Sequence, residues 1–108
     1  MKSNRNQKYS SGRSAVKEVD LHLRQGHGAV GAMERQLLHF TGELEGAIRR
    51  GEGEIIFIHG SGSGRLREEI HRIIAGKYPL CACSDASFSK YGYGGATIVT
   101  IGKRGSER

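Results

Sequence analysis

The sequence predicts a two-layer α/β domain, in which a four-stranded mixed sheet carries two helices on one face in the order βαβαββ. Three features predict it: short aliphatic runs of strand length, two longer segments with apolar residues at helical spacing, and glycine-rich turns. Because a helix joins the first two strands, we expect them to be parallel with a right-handed crossover. The last two strands are predicted to be antiparallel, which makes the sheet mixed. The length of 108 residues fits one domain.

The first half of the chain contains the first strand and the longer helix. The strand is predicted over Val16 to Leu23, where Asp20 and His22 share one face. A helix from about Val30 to Arg50 follows, and two arginines and a glycine end it. Its predicted apolar stripe consists of Met33, Leu37, Phe40 or Thr41, Leu44 and Ile48.

The second half contains three strands and one helix. The continuous apolar run from Glu54 to Ile58 predicts a buried strand. A helix is predicted from Arg65 to about Gly76, a third strand over Leu80 to Ser87, and a fourth over Ala96 to Ile101. The apolar face of this second helix consists of Leu66, Ile70, Ile73 and Ile74.

The two ends of the chain are polar. We expect residues 1–14 to be a disordered basic tail or linker, 15–102 to form the domain, and 103–108 to be a polar tail. The longest aliphatic run, Ile55 to Ile58, is far too short to span a bilayer. The sequence does not decide whether this chain is a whole protein or a fragment.

The charge balance favours polyanionic partners. Seventeen Lys and Arg face eleven Asp and Glu, for a net charge of +6, and nucleic acid is the first such partner to consider. A basic tail on an unrelated soluble domain is the alternative. Cys81 and Cys83 are poorly spaced for a disulfide, so we expect two reduced thiols in a cytoplasmic protein. The oligomeric state is not predicted.

Three side chains with acid–base capacity are predicted to meet at one sheet edge. Asp20 and His22 lie at the end of the first strand, and His59 follows the second. Because parallel neighbours end at the same edge, where open α/β sheets bind ligands, we predict one site containing all three.

A glycine-rich loop connects the second strand to the second helix. The spacing of Gly60, Gly62 and Gly64 leaves backbone N–H groups at a helix N-terminus free to cradle a phosphate. Arg65 and Arg67 lie in the first turn, where cations oppose the helix dipole and an arriving anion explains them better. The loop is neither a Walker A loop nor a Rossmann fingerprint. A tight turn that simply requires glycines remains the alternative.

Other polar residues are weaker candidates. Lys90 is a plausible phosphate contact of low specificity, and Tyr91 could stack on a base. His27 is expected to be a loop residue, and His39 and His71 are expected on the surface of their helices.

These motifs resemble the Smr (small MutS-related) domain family. Val19 to His22 resembles the Leu-Asp-Leu-His motif that opens the domain. His59 to Arg67 is similar to its second motif, His-Gly-x-Gly-x-Gly followed by x-Leu-Arg, and Gly94 to Ile101 is similar to its final strand. The resemblance covers about Val16 to Gly102. It implies the βαβαββ fold and an association with DNA nicking, RNA cleavage and nucleic-acid binding.

One departure indicates a subgroup. The family usually has Gly after Leu-Asp-Leu-His, and Leu23 stands there. That pattern resembles Bacteroidetes-type proteins of the family, which also carry the sequences found at Asp85 to Phe88 and Tyr91 to Gly94.

Two functional hypotheses follow. In the first, the domain is an endonuclease: Asp20 binds a divalent cation, magnesium or manganese, or activates water, and His22 or His59 moves a proton. The glycine loop, Arg65 and Arg67 then hold the phosphate. In the second, the same surface only binds nucleic acid, as a module of a larger repair, recombination or ribosome quality-control protein. An enzyme acting on a small phosphorylated metabolite is a weaker third reading.

Overall fold

The structure is a computed structural model that describes residues 16–23, 31–60, 62–92 and 94–102. The predicted tails, 1–14 and 103–108, lie outside the described residues, as does His27. The proposed division into two tails and a domain therefore stays a prediction.

The order of the main elements agrees with the predicted one. The two strands predicted over Glu54 to Ile58 and Ala96 to Ile101 have those bounds in the structure. The elements are β1 (Lys17–Asp20), α1 (Ala32–Arg49), β2 (Glu54–Ile58), α2 (Arg65–Lys77), β3 (Cys81–Asp85), α3 (Phe88–Tyr91) and β4 (Ala96–Ile101).

Three elements differ from the prediction. β1 ends at Asp20 rather than Leu23, because the Asp20 carboxylate accepts the backbone N–H of His22 just beyond the strand. β3 covers Cys81–Asp85 and is shorter than the predicted Leu80 to Ser87. The four-residue helix α3 was not predicted, since it is too short to show an apolar period. The Ser87 hydroxyl accepts the backbone N–H of Lys90 at 3.3 Å and so caps it.

The sheet is mixed, with strand order β1-β2-β4-β3. β1 is parallel to β2, as predicted, and β4 is antiparallel to both of its neighbours. The last strand is therefore interior, between β2 and β3. The predicted fold class is confirmed.

The core lies between the helices and one face of the sheet. Phe57 of β2 meets Phe40 of α1 edge-to-face, with ring centroids 4.8 Å apart. One predicted position was wrong: Ile48 of α1 is 39% exposed, and Ala47 is fully buried in its place. The apolar stripe shifts by one residue as the helix ends. The other buried residues of this core are Val19, Leu21, Leu44, Ile55, Leu66, Ile70, Ile74, Val99 and Ile101.

The opposite face of the sheet is more open. Ile56 and Ile98 are half-buried there, and Lys90 of α3 reaches Glu18 of β1 on this face at 2.8 Å. Cys81 and Cys83 are free thiols, as predicted. Within the described ranges, no helix has the length and apolar character needed to cross a bilayer.

Candidate active site

Asp20 and His22 form a contact pair where β1 ends. Asp20 Oδ1 lies 2.7 Å from His22 Nδ1 and accepts the His22 backbone N–H at 2.9 Å. That backbone hydrogen bond is the main cause that holds the pKa of Asp20 below its usual value, so the group is a carboxylate at neutral pH. Because a carboxylate only accepts, Nδ1 carries the hydrogen and Nε2 of neutral His22 keeps its lone pair. Both side chains are more than half exposed.

The second ring nitrogen of His22, Nε2, has no hydrogen-bond partner among the described residues and lies against the start of the glycine loop. A Cβ built on Gly60 would come within 2.9 Å of His22 Nε2, and Gly60 has φ +84°. The backbone N–H of Leu21 donates to the carbonyl of Ile58 at 2.9 Å, which holds the two strand ends side by side. Glycine at position 60 therefore satisfies both a left-handed backbone and a close approach.

His59 lies at the same edge, on the side of the helices. It is 7% exposed, with Nε2 at 2.8 Å from the Thr97 hydroxyl and Nδ1 at 3.1 Å from the carbonyl of Gly60. Burial lowers the pKa of His59 below the usual imidazole value. Its two ring nitrogens are thus engaged inside the protein, whereas Nε2 of His22 is available.

A cavity of about 340 Å³ opens beside the loop between the starts of both long helices. α1 and α2 each begin after a left-handed glycine, Gly31 and Gly64, which has no side chain to cap the helix. The Ser63 hydroxyl accepts the backbone N–H of Arg65 at 3.3 Å. No described side chain accepts the other N–H groups of either first turn, and these suit an anion. The cavity is lined by Ala32, Met33, Gln36, His59, Gly62, Ser63, Gly64, Arg65 and Leu66.

A larger cavity of about 580 Å³ has a different character. Its lining is mostly apolar, with Ile48, Leu80 and Ile101 among its residues, and its described lining includes none of the predicted site residues. The smaller cavity is therefore the candidate site for a phosphate. Its described lining includes His59 and Arg65, whereas Asp20 and His22 lie outside that lining, on the other side of Gly60.

The predicted basic contacts divide into one that faces the cavity and two that bind carboxylates. Within the described part of the chain, the exposed Arg65 side chain makes no hydrogen bond or ion pair, and it lines the cavity. Arg67 donates through Nε and Nη2 to Asp85 Oδ1, at 3.1 and 2.7 Å. Lys90 is paired with Glu18 on the open sheet face. Arg65 is therefore the basic side chain best placed to meet a phosphate.

The expectation that His71 lies at the helix surface was wrong. His71 is part-buried, and its Nε2 lies 2.9 Å from the hydroxyl of Thr97, which is fully buried. His71 follows Ile70 of the apolar stripe and so borders the core. The signal was in β4: Thr97 alternates with Val99 and Ile101 on the inward face, where a hydroxyl needs partners.

Comparison with known proteins identifies the family. The sequence model of the Smr domain matches residues 19–102. The chain is 38% identical over 68 residues to an Endonuclease MutS2 of Solidesulfovibrio magneticus, an alignment that covers 63% of this chain and 8% of that protein. It also resembles the crystal structure of the Smr domain of Thermus thermophilus MutS2, with a TM-score of 0.63 and 30% identity, over 80% of this chain and 98% of that one. The chain therefore belongs to the Smr domain family.

Proposed function

We propose that this domain binds nucleic acid at the carboxyl edge of β1 and β2 and hydrolyses a phosphodiester bond there. The observation that carries the proposal is the Asp20–His22 pair, with the free Nε2 of His22 beside Gly60 of the loop. A carboxylate that orients an imidazole leaves the far nitrogen able to act as a general base.

The substrate phosphate is placed by the loop and the cavity. Backbone N–H groups at the start of α2 and the Arg65 guanidinium stabilise its negative charge. The oxygen of a water molecule forms a bond to phosphorus, while its proton passes to Nε2 of His22. The bond to the leaving sugar oxygen breaks, and the same proton returns to that oxygen. Asp20 stays ionised throughout and stabilises the imidazolium.

The relatives support this proposal in part. The name of the matched relative is Endonuclease MutS2, but the alignment spans less than a tenth of that protein. Cleavage and a place in repair are therefore proposals for this chain, argued from its own residues. The cleavage experiment described below distinguishes DNA from RNA as the substrate. We also propose that it works in the cytoplasm, which its free thiols support.

The donor groups do not fit a resident magnesium or manganese ion. Among the described residues, no three His, Cys, Asp or Glu side chains group in a way that could hold a metal. Among the described residues of the site, Asp20 supplies the one carboxylate, and its Oδ1 already accepts two hydrogen bonds. Magnesium is usually held by one or two carboxylates together with substrate oxygens, so the protein alone supplies too few donors for an ion that is resident before substrate binds.

The departure at Leu23 supports assignment to the Bacteroidetes-type subgroup, which we also propose. Two residues of the subgroup's second pattern have structural roles: Asp85 holds Arg67, and Ser87 caps α3. The Arg67–Asp85 ion pair supports a structural role for Arg67, and it leaves phosphate binding to Arg65 in this proposal.

Cleavage by wild type and by Asp20→Asn tests the proposal. The substrates are supercoiled plasmid and structured RNA, with and without magnesium or manganese. We expect the wild type to nick at least one of them and Asp20→Asn to be slower by a factor on the order of a hundred or more, with binding retained. Glu54→Gln is the matched control, because it removes one negative charge from an exposed side chain where β2 begins, and it should nick like the wild type.

Two results contradict the proposal. Tight binding without nicking by the wild type would favour the non-catalytic binding module. Equal nicking by wild type and Asp20→Asn would place the chemistry on other residues.

A further inference from the structure

Two histidines from different elements share one buried hydroxyl. Thr97 Oγ1 of β4 lies 2.8 Å from His59 Nε2 and 2.9 Å from Nε2 of His71 on α2. Thr97 is fully buried, so these imidazoles are its hydrogen-bond partners in place of water. Neither Thr97 nor His71 has a part in the mechanism proposed above.

The direction of these hydrogen bonds follows from a third one, between the His59 ring and the carbonyl of Gly60. His59 Nδ1 lies 3.1 Å from the carbonyl of Gly60, and a carbonyl only accepts, so Nδ1 carries the hydrogen. Neutral His59 then has a lone pair on Nε2, which accepts the Thr97 O–H. Thr97 therefore accepts from His71, whose hydrogen is on Nε2. The chain runs from His71 through Thr97 and His59 to Gly60.

We propose that His71 and Thr97 are positioning residues for the glycine-rich loop, acting through the ring of His59. The chain of hydrogen bonds holds the carbonyl of Gly60, the residue against which His22 Nε2 lies. Its importance for cleavage rests on the proposed function, whereas its effect on the loop does not.

The N–H side of Gly60 is held by Gly95. The Gly95 carbonyl accepts the backbone N–H groups of His59, at 3.0 Å, and of Gly60, at 2.9 Å. A Cβ on Gly95 would collide with the carbonyl oxygen of Tyr91, so only glycine fits at this position. Backbone bonds fix the start of the loop from β4, and the His59 ring fixes the Gly60 carbonyl.

Burial favours neutral rings. It lowers the pKa of His71, where the Arg67 charge adds to it and the Asp85 charge of the same ion pair opposes it. Burial likewise lowers the pKa of His59. The chain of hydrogen bonds from His71 to Gly60 requires neutral rings, because a proton added to His59 Nε2 would point at Thr97 and reverse that hydrogen bond.

Nitrogen NMR of the histidine rings at pH 7.5 tests the chain in the wild-type protein. We expect His59 as the Nδ1–H tautomer and His71 as the Nε2–H tautomer. The opposite tautomer of His59, or a charged ring there, would overturn the proposal without any variant.

Hydrogen exchange in three variants tests the effect on the loop. Thr97→Val keeps the shape and removes the hydroxyl, and we expect the amides of His59 and Gly60, which donate to Gly95, to exchange about tenfold faster, as for loss of a buried hydrogen bond. Thr97→Ser should restore slow exchange. Thr100→Val makes the same change at an exposed position of β4 and should have no effect.

The outcomes separate this proposal from the proposed function. Amides of His59 and Gly60 that exchange equally in Thr97→Val and the wild type would overturn the positioning role. A wild type that binds and cuts no nucleic acid, with the exchange difference present, would refute the proposed function and leave the positioning of the loop intact.

Discussion

At the scale of single residues, Gly60 joins the loop to the proposed base. Its backbone has φ +84°, and its α-carbon faces His22 Nε2. A side chain there would meet the imidazole that the mechanism uses. Gly60 thus brings the glycine-rich loop into contact with His22, the proposed general base.

Gly60→Ala is predicted to destabilise the fold and to impair nicking. The left-handed backbone costs alanine about 1 to 2 kcal/mol, and the new methyl displaces His22. The control is Gly51→Ala, which has a similar φ of +75° but nothing within 4 Å of its Cβ. Both variants should lose stability in urea unfolding, and Gly60→Ala alone should also lose nicking. Normal nicking by Gly60→Ala would show that the contact has no role.

Arg65 is the first residue of α2, where a cation destabilises the helix but can bind an anion. Arg65→Gln should lower the slope of log affinity against log salt by about one, because one phosphate contact is lost. It should also raise the free energy of unfolding slightly, since a cation leaves the positive end of the α2 dipole.

Arg49→Gln is the control for that experiment. Arg49 is also exposed, but it lies in the last turn of α1, where a cation favours the helix. We expect binding to be unchanged and stability to fall slightly. The same salt slope for Arg65→Gln and wild type would remove Arg65 from the interface.

At the scale of elements, pattern and length decide what the sequence predicts. β2 and β4 are runs of apolar residues bounded by glycines or polar residues, and their bounds were predicted correctly. α1 and α2 have a clear helical period. α3 has four residues and no period, and its signal is one capping serine. The end of β1 depends on a side-chain to backbone hydrogen bond, which a strand pattern does not show.

The packing of α2 against β4 predicts a pH dependence of stability. His59 and His71 have pKa values below the usual 6.5, chiefly because they are buried. Below pH 6.5 the unfolded chain therefore binds more protons than the folded one. The free energy of unfolding should fall as the pH drops below about 6.5. Above that pH these two histidines should not change it.

Urea unfolding at pH 7.5 and pH 5.5 measures this effect. The carboxyl groups Glu18, Asp20 and Asp85 have pKa values below their ordinary values of 4.5 or 3.8. They therefore change the free energy of unfolding mainly below pH 5.5. His71→Gln should reduce the difference between the two pH values. His39→Gln, at an exposed position, should leave it unchanged. Equal stability of the wild type at both pH values would contradict neutral buried rings.

At the scale of the whole molecule, the candidate groups lie at one end of the sheet. The meeting of Asp20, His22 and the loop could be predicted, because parallel neighbouring strands end at the same edge. The partners of Arg67 and Lys90 could not, because Asp85 and Glu18 are 18 and 72 residues away along the chain. Charge alone identifies basic residues, and only the folded arrangement shows that Arg65 faces the cavity.

The central claim is that His22, oriented by Asp20, is the general base of a nuclease. Single-turnover nicking of supercoiled plasmid by wild type, Asp20→Asn, His22→Gln and the double variant tests it most directly. Residues that act as a unit are not additive, so each single variant should be slower by a factor on the order of a hundred or more, and the double little slower still. Nicking by His22→Gln at the wild-type rate, with binding unchanged, would contradict the claim.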